Sequence, residues 1–147
     1  MTGSGIVVDV SSSVRRLPLA PGRVRALVET TLRAERIADA MVSVAFVGTT
    51  IMRRMNHDYL GHRGPTDVIS FGMGREQSSL PAVGDIYICV DVARRNAKRL
   101  GIGLRDELSR LVVHGALHVA GLEHPEGESR TTSPMWRRQE RILERLR

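Results

Sequence analysis

Leu104-Arg-Asp-Glu-Leu-Ser-Arg-Leu-Val-Val-His114-Gly-Ala-Leu-His118-Val-Ala-Gly121-Leu-Glu-His124 decides how the chain is organised. Leu104, Leu108, Leu111, Val112, Val113, Ala116, Leu117 and Val119 cover nearly every side of a helix running to Ala120. A helix without a broad polar face belongs in the interior. His114 and His118 stand four apart, so they project from one face of that buried helix, one turn above the other. Gly121 can take the left-handed conformation that ends a helix and reverses the chain. The return brings His124 towards the first two. Three imidazoles from a helix and its following turn make a zinc site with an open fourth position, the arrangement of a catalytic rather than a structural ion.

The window also excludes a chemistry. Helical metalloproteases carry a glutamate directly after the first histidine, as base for the metal-bound water. Here that position is Gly115, which has no side chain. The metal scaffold is protease-like and the protease base is missing.

Working outward, Ile6–Val10 reads as a first strand, Pro21 to about Glu35 as a helix, and Met41–Val47 as a strand with Val42, Val44 and Phe46 on one face. Thr49 or Thr50 is placed to cap a helix to about His57. A loop from Gly61 to Asp67 leads into the strand Val68–Phe71. Residues 72–84 are polar, glycine-bearing and broken by Pro81, so they read as a loop able to meet a substrate. Asp85–Val90 reads as a strand, Asp91 as the cap of a helix stopped by Gly101, and residues 125–132 as a polar connector. Ser133-Pro134 opens a terminal helix. The mixture predicts α+β: one domain over residues 1–147, about four strands in one mixed sheet, about five helices, and the metal site on a buried central helix.

Composition narrows the partners. The chain has 147 residues, a net charge of +6 and a pI near 10.8, which points to a polyanion. Nearly all the positive charge is arginine, with Lys98 the only lysine, and guanidinium forks suit phosphate. Pairs recur at Arg15-Arg16, Arg53-Arg54, Arg94-Arg95 and Arg137-Arg138. Five scattered aromatic rings do not make a base-stacking platform, so backbone electrostatics should dominate nucleic-acid binding. Cys89 is the only cysteine and lies in an apolar run, so a buried thiol in a reducing, cytosolic setting is expected. No stretch is long and apolar enough to span a bilayer, and Met-Thr-Gly-Ser-Gly has no secretory pattern.

Asp67 and Asp85 are candidates to orient a ligand or water in catalysis. Arg63 and Ser70 are candidates for substrate contact. His57 and His62 read as solvated.

The motif His114-Gly-x-Leu-His118-x-x-Gly121-x-x-His124, with Pro65-Thr66-Asp67-Val68-Ile69-Ser70-Phe71 and Gly84-Asp85-Ile86 upstream, resembles the YbeY family of bacterial rRNA maturation factors. The resemblance runs from about Met41 to the terminal helix. It implies a cytoplasmic, single-strand-specific endoribonuclease with one Zn²⁺ per chain. It further implies action on the 16S rRNA 3′ end in maturation and ribosome quality control, with the ribosome or its small subunit as partner and room for a ribosome-associated protein. Two positions depart from the family pattern. Glu123 stands where an aspartate usually precedes the third histidine, placed to orient a metal ligand or its loop. Leu60 stands where an arginine usually follows Tyr59, and Arg63 is the candidate to supply that charge. Two other readings stay open at this point: a non-catalytic zinc-stabilised rRNA-binding factor, and a metal-dependent hydrolase of another substrate.

Overall fold

The computed structural model of the chain describes residues 5–73, 80–122 and 133–146. Four strands, β1 (Ile6–Ser12), β2 (Ala40–Val47), β3 (Val68–Met73) and β4 (Ala82–Cys89), form one sheet in the order β1-β2-β4-β3. β1, β2 and β4 run parallel and β3 pairs antiparallel with β4. Among the described residues five helices accompany them: α1 (Pro21–Ala34), α2 (Thr49–Leu60), α3 (Val90–Leu100), α4 (Leu104–Val119) and α5 (Pro134–Leu146). The expected α+β architecture with a mixed sheet is what the chain forms. β1-α1-β2 is a single βαβ unit, and the antiparallel β3 prevents its repetition.

Strand parity sets up two unlike faces. On β4, Ile86 and Ile88 point at α4 and are fully buried with Leu108, Val112, Ala116 and Leu117. Val24, Leu27, Val28 and Leu32 of α1 join this core, as do Met135, Ile142 and Leu143 of α5. The opposite face carries a smaller cluster, Val47, Met52, Ile69 and Cys89, under α2. Beyond α2, Val7, Met41, Val83 and Met73 form one cross-strand row over all four strands, and Val7, Met41 and Met73 are exposed.

α4 lies unusually close to the sheet. A Cβ on Gly115 would meet Ile86 Cγ2 at 2.6 Å, and one on Gly84 would meet the Phe71 carbonyl oxygen at 2.6 Å and Val119 Cγ2 at 2.7 Å. Gly115 therefore has a packing reason as well as a chemical one: a glutamate there would push the histidine helix off β4.

Some local expectations need correcting. Gly72–Met73 and Ala82–Gly84 are strand, paired Gly72↔Gly84 and Met73↔Val83, so the connection between β3 and β4 is shorter than 72–84. Helix α2 starts at Thr49 and continues to Leu60, past His57. Asp91 does not cap α3, which begins at Val90; its carboxylate instead accepts from the Thr49 hydroxyl at 2.7 Å and from the Thr49 N–H at 3.3 Å. Thr49 is thus engaged across the helix pair rather than as a cap of α2. Ser133 does cap α5, its Oγ accepting from the Trp136 N–H at 3.2 Å. Residues 125–132, residues 74–79 of the 72–84 stretch, Glu123 and His124 lie outside the described residues.

Candidate functional site

His114 and His118 leave the last two turns of α4 on the same side, with ring centroids 4.7 Å apart. Their Nε2 atoms face each other at 3.2 Å. Two nitrogens bound tetrahedrally to one zinc at the usual bond length would be about 3.3 Å apart. The separation therefore fits two ligands of one ion. The turn after α4 also takes the expected form. Gly121 has φ 101°, its N–H reaches the His118 carbonyl at 2.9 Å, and the Leu122 N–H reaches the Leu117 carbonyl at 3.0 Å. That is the double hydrogen bond of a glycine-terminated helix, and its reversal at Gly121 stands three residues before His124. Among the described residues no third metal-binding side chain joins the pair.

His114 is 5% exposed and its second nitrogen is occupied: Nδ1 lies 2.8 Å from Gln139 Oε1 on α5. Gln139 continues to Glu140, Nε2 to Oε2 at 3.0 Å, and Glu140 takes a two-pronged contact from Arg110 at 3.0 and 3.1 Å. Arg110 also reaches Glu107 Oε1 at 3.3 Å. These groups border a cleft of about 190 Å³ lined by Asp67, Asn96, Glu107, Arg110, His114 and Gln139, among others. Burial pushes the Glu107 carboxyl above its ordinary pKa and Asp67 adds to the rise, while Arg110 and Asn96 pull it back. Glu140 and Glu107, together with desolvation acting the other way, leave Arg110 more strongly basic than usual.

Asp67 is brought to this cleft. Its carbonyl accepts from the Cys89 N–H at 2.9 Å, and its carboxylate accepts from Asn96 Nδ2 at 3.3 Å. Ser70 shares the α4-facing side of β3, between Val68, which packs on the main core, and Gly72, whose Cβ would lie 3.7 Å from the His118 carbonyl oxygen. Asp85 is not brought there. It sits between Gly84 and Ile86, which point at α4, so it points to the other face, where the Ser43 hydroxyl donates to it at 2.5 Å. Arg63 is likewise elsewhere, exposed beside Arg53 and Arg54 along an open groove of about 480 Å³. Asn56 holds the start of that loop by donating to the Gly64 carbonyl at 2.9 Å. Leu60, the last residue of α2, is exposed. A second arginine-lined groove, with Arg36, Arg138, Arg141 and Arg145, runs between α1 and α5, and Arg138 there is held by Glu35 at 2.6 Å.

Sequence reading missed Glu107, Arg110, Asn96 and Gln139. Glu107 and Arg110 carried a signal, lying seven and four residues before His114 on the same helix and hence on its face. Gln139 and Asn96 come from α5 and α3, and only docking brings them to the site.

The family model described as Endoribonuclease YbeY matches residues 17–147. Proteins named Endoribonuclease YbeY are similar along most of the chain. The one from Geobacter sulfurreducens is 38% identical over 120 residues, 80% of each chain. The one from Geobacter metallireducens is 35% identical over 144 residues, 94% of this chain and 96% of its own. The solution structure of TM1509 from Thermotoga maritima superposes with a TM-score of 0.67 at 26% identity, covering 94% of this chain and 87% of that one. Between them, the matched span and the shared fold leave one assignment: the chain belongs to the YbeY endoribonuclease family.

Proposed function

We propose that this chain is a zinc-dependent endoribonuclease that cuts single-stranded RNA at the 3′ end of 16S rRNA, in maturation and ribosome quality control. The observation that carries the metal part is the 3.2 Å between the Nε2 atoms of His114 and His118 on a rigid, buried helix. The family's name, Endoribonuclease YbeY, carries the activity. His114 and His118 would hold one ion, with His124 as third ligand and Glu123 beside it. When bound, Zn²⁺ supplies Lewis-acid charge that stabilises a phosphodiester under attack.

The rest falls to the chain's own side chains. Gly115 removes the protease base, and Asp67 and Glu107 are carboxyl groups that the fold brings into the cleft beside His114. Glu107, its pKa raised by burial with Arg110 opposing, lines the same cleft and is the candidate to exchange a proton there. Ser70 faces the same side. The arginines at 53, 54 and 63 supply a positive track for RNA phosphates, which makes binding fall with salt. The partners on this reading are the 16S rRNA, the ribosome or small subunit and a ribosome-associated protein, all in the cytoplasm. No described helix is long and apolar enough to cross a membrane.

The test is single-turnover cleavage of a labelled single-stranded fragment of the 16S rRNA 3′ end. Wild type of measured zinc content is compared with His114→Ala, His118→Ala and Asp85→Asn. Both histidine variants should lose about 100-fold or more in rate, as expected for removal of a metal ligand, with Asp85→Asn within about threefold of wild type. Folded, zinc-loaded wild type that binds the RNA and leaves it intact would overturn the nuclease reading for the isolated chain.

A further inference from the structure

The geometry points to a one-way hydrogen-bond relay, Arg110 to Glu140 to Gln139 to His114, that fixes the tautomer of His114 and makes Gln139 a positioning residue of the metal centre. It deepens the proposed function and rests on His114 being a metal ligand.

The direction follows from which groups can donate. Arg110 has only donors, and its Nε and Nη2 grip both oxygens of Glu140 at 3.0 and 3.1 Å. The Glu140 carboxylate only accepts. The atom of Gln139 that faces it at 3.0 Å must therefore be the amide nitrogen. That pins an amide whose two ends would otherwise be interchangeable. The opposite end, Oε1, is then an acceptor 2.8 Å from His114 Nδ1, so Nδ1 must carry a hydrogen. A neutral imidazole has one N–H, and placing it on Nδ1 leaves Nε2 as a bare lone pair. That lone pair is the one turned towards His118. In the metal-free protein, any hydrogen bond between the two Nε2 atoms must accordingly be donated by His118.

Burial gives the relay its leverage. Gln139 is 1% exposed and His114 5%, so neither can exchange its partner for water at low cost. Flipping the amide would set N–H against Nδ1–H at one end and oxygen against carboxylate at the other. Without the relay, His114 would divide its population between two tautomers, and one of them cannot bind metal through Nε2.

The experiment has two readouts that do not depend on RNA cleavage. Long-range proton–nitrogen NMR of the metal-free wild type should show His114 protonated at Nδ1 and bare at Nε2. Zinc affinity is then measured by competition with a chromophoric chelator. Gln139→Met keeps the length and removes the acceptor; it should give mixed His114 tautomers and weaken zinc about 10–100-fold. The double variant Gln139→Glu with Glu140→Gln keeps an acceptor at Nδ1 and restores an amide to donate to it, and should recover the tautomer and most of the affinity. A wild-type His114 protonated at Nε2 overturns the relay. So does a Gln139→Met protein that keeps the Nδ1–H form and binds zinc within twofold of wild type. Should the methionine variant fail to fold, Glu140→Gln decides on the same readouts, because it removes the acceptor-only group that pins the amide. A protein that passes these tests yet leaves RNA intact would sink the nuclease reading and keep the relay.

Discussion

Alternate residues of β4 meet two different environments. Gly84, Ile86 and Ile88 point at α4 and are buried, whereas Val83, Asp85 and Tyr87 point the other way and remain at least partly accessible. On the α4 side, helices α1, α4 and α5 share one core with the sheet, and the polar groups inside it are tied into a chain from Glu107 to His114. On the other side α2 covers only part of the strands, and among the described residues the side-chain hydrogen bond that links neighbouring strands there is the exposed one from Ser43 to Asp85. A metal ligand needs a fixed direction, and only the first environment can hold one. The same residue type means different things on the two faces: Asp67 lines the cleft that His114 borders, and Asp85 points to the opposite face of the sheet.

The comparison breaks most readily at Arg110. Its side chain is 16% exposed and it bridges Glu107, 5% exposed, and Glu140. Removing one partner leaves buried charge uncompensated, which typically costs 3–5 kcal/mol. Glu140 retains some solvent contact, so Arg110→Ala should destabilise the fold by about 3 kcal/mol. Ser43→Ala, which cuts the polar contact on the open face, should cost no more than about 1 kcal/mol. Denaturant titration of both variants measures the contrast, and equal losses would mean that the two faces are not energetically distinct.

The sequence showed one side of this contrast better than the other. The histidine helix, the Gly121 reversal, the Ser133 cap and the four strands could all be read, because each rests on spacing within a few residues. Asp85 was misplaced because Ala82-Val-Gly-Asp-Ile-Tyr-Ile-Cys89 has apolar residues at both parities, so alternation does not say which face looks at α4. Gly72–Met73 and Ala82–Gly84 looked like loop because their strand character comes from pairing with each other and with β2, a tertiary fact. Gln139 reaches His114 from 25 residues away, and no local pattern encodes that docking.

A smaller and sharper test compares neighbours on one strand. Gly84→Ala forces a Cβ against the Phe71 carbonyl oxygen and Val119, and backbone cannot give way cheaply. Overpacking of this kind costs about 1–3 kcal/mol. Val83→Ala, one residue earlier and on the open face, should stay within about 1 kcal/mol of wild type. Gly115→Ala should fall between them, because its clash is with the Ile86 side chain rather than with backbone. Thermal unfolding of the three variants orders them. A Gly84→Ala protein as stable as wild type would show that α4 does not press on the sheet as closely as the geometry requires.

The smallest effect is the dependence on pH that the buried face should impart through Glu107. Its pKa is raised from 4.5 in the fold, mainly by burial, with Arg110 opposing. A raised value means that the native state binds the proton more tightly than the unfolded chain does. The associated stability is therefore fully present below about pH 4.5 and is lost as pH rises through the folded pKa. Glu107→Gln mimics the protonated form at every pH and lacks this loss. Relative to wild type it should gain stability as pH rises through that interval, and then hold the gain constant. Chemical denaturation of both proteins between pH 4 and 7 is the measurement, as an order-of-magnitude window set by the ordinary carboxyl range. The sign is what matters. If wild type instead gained on the variant with rising pH, attraction to Arg110 would outweigh desolvation. Glu107 would then be an ionised member of the relay network rather than a carboxyl poised to hold a proton beside His114.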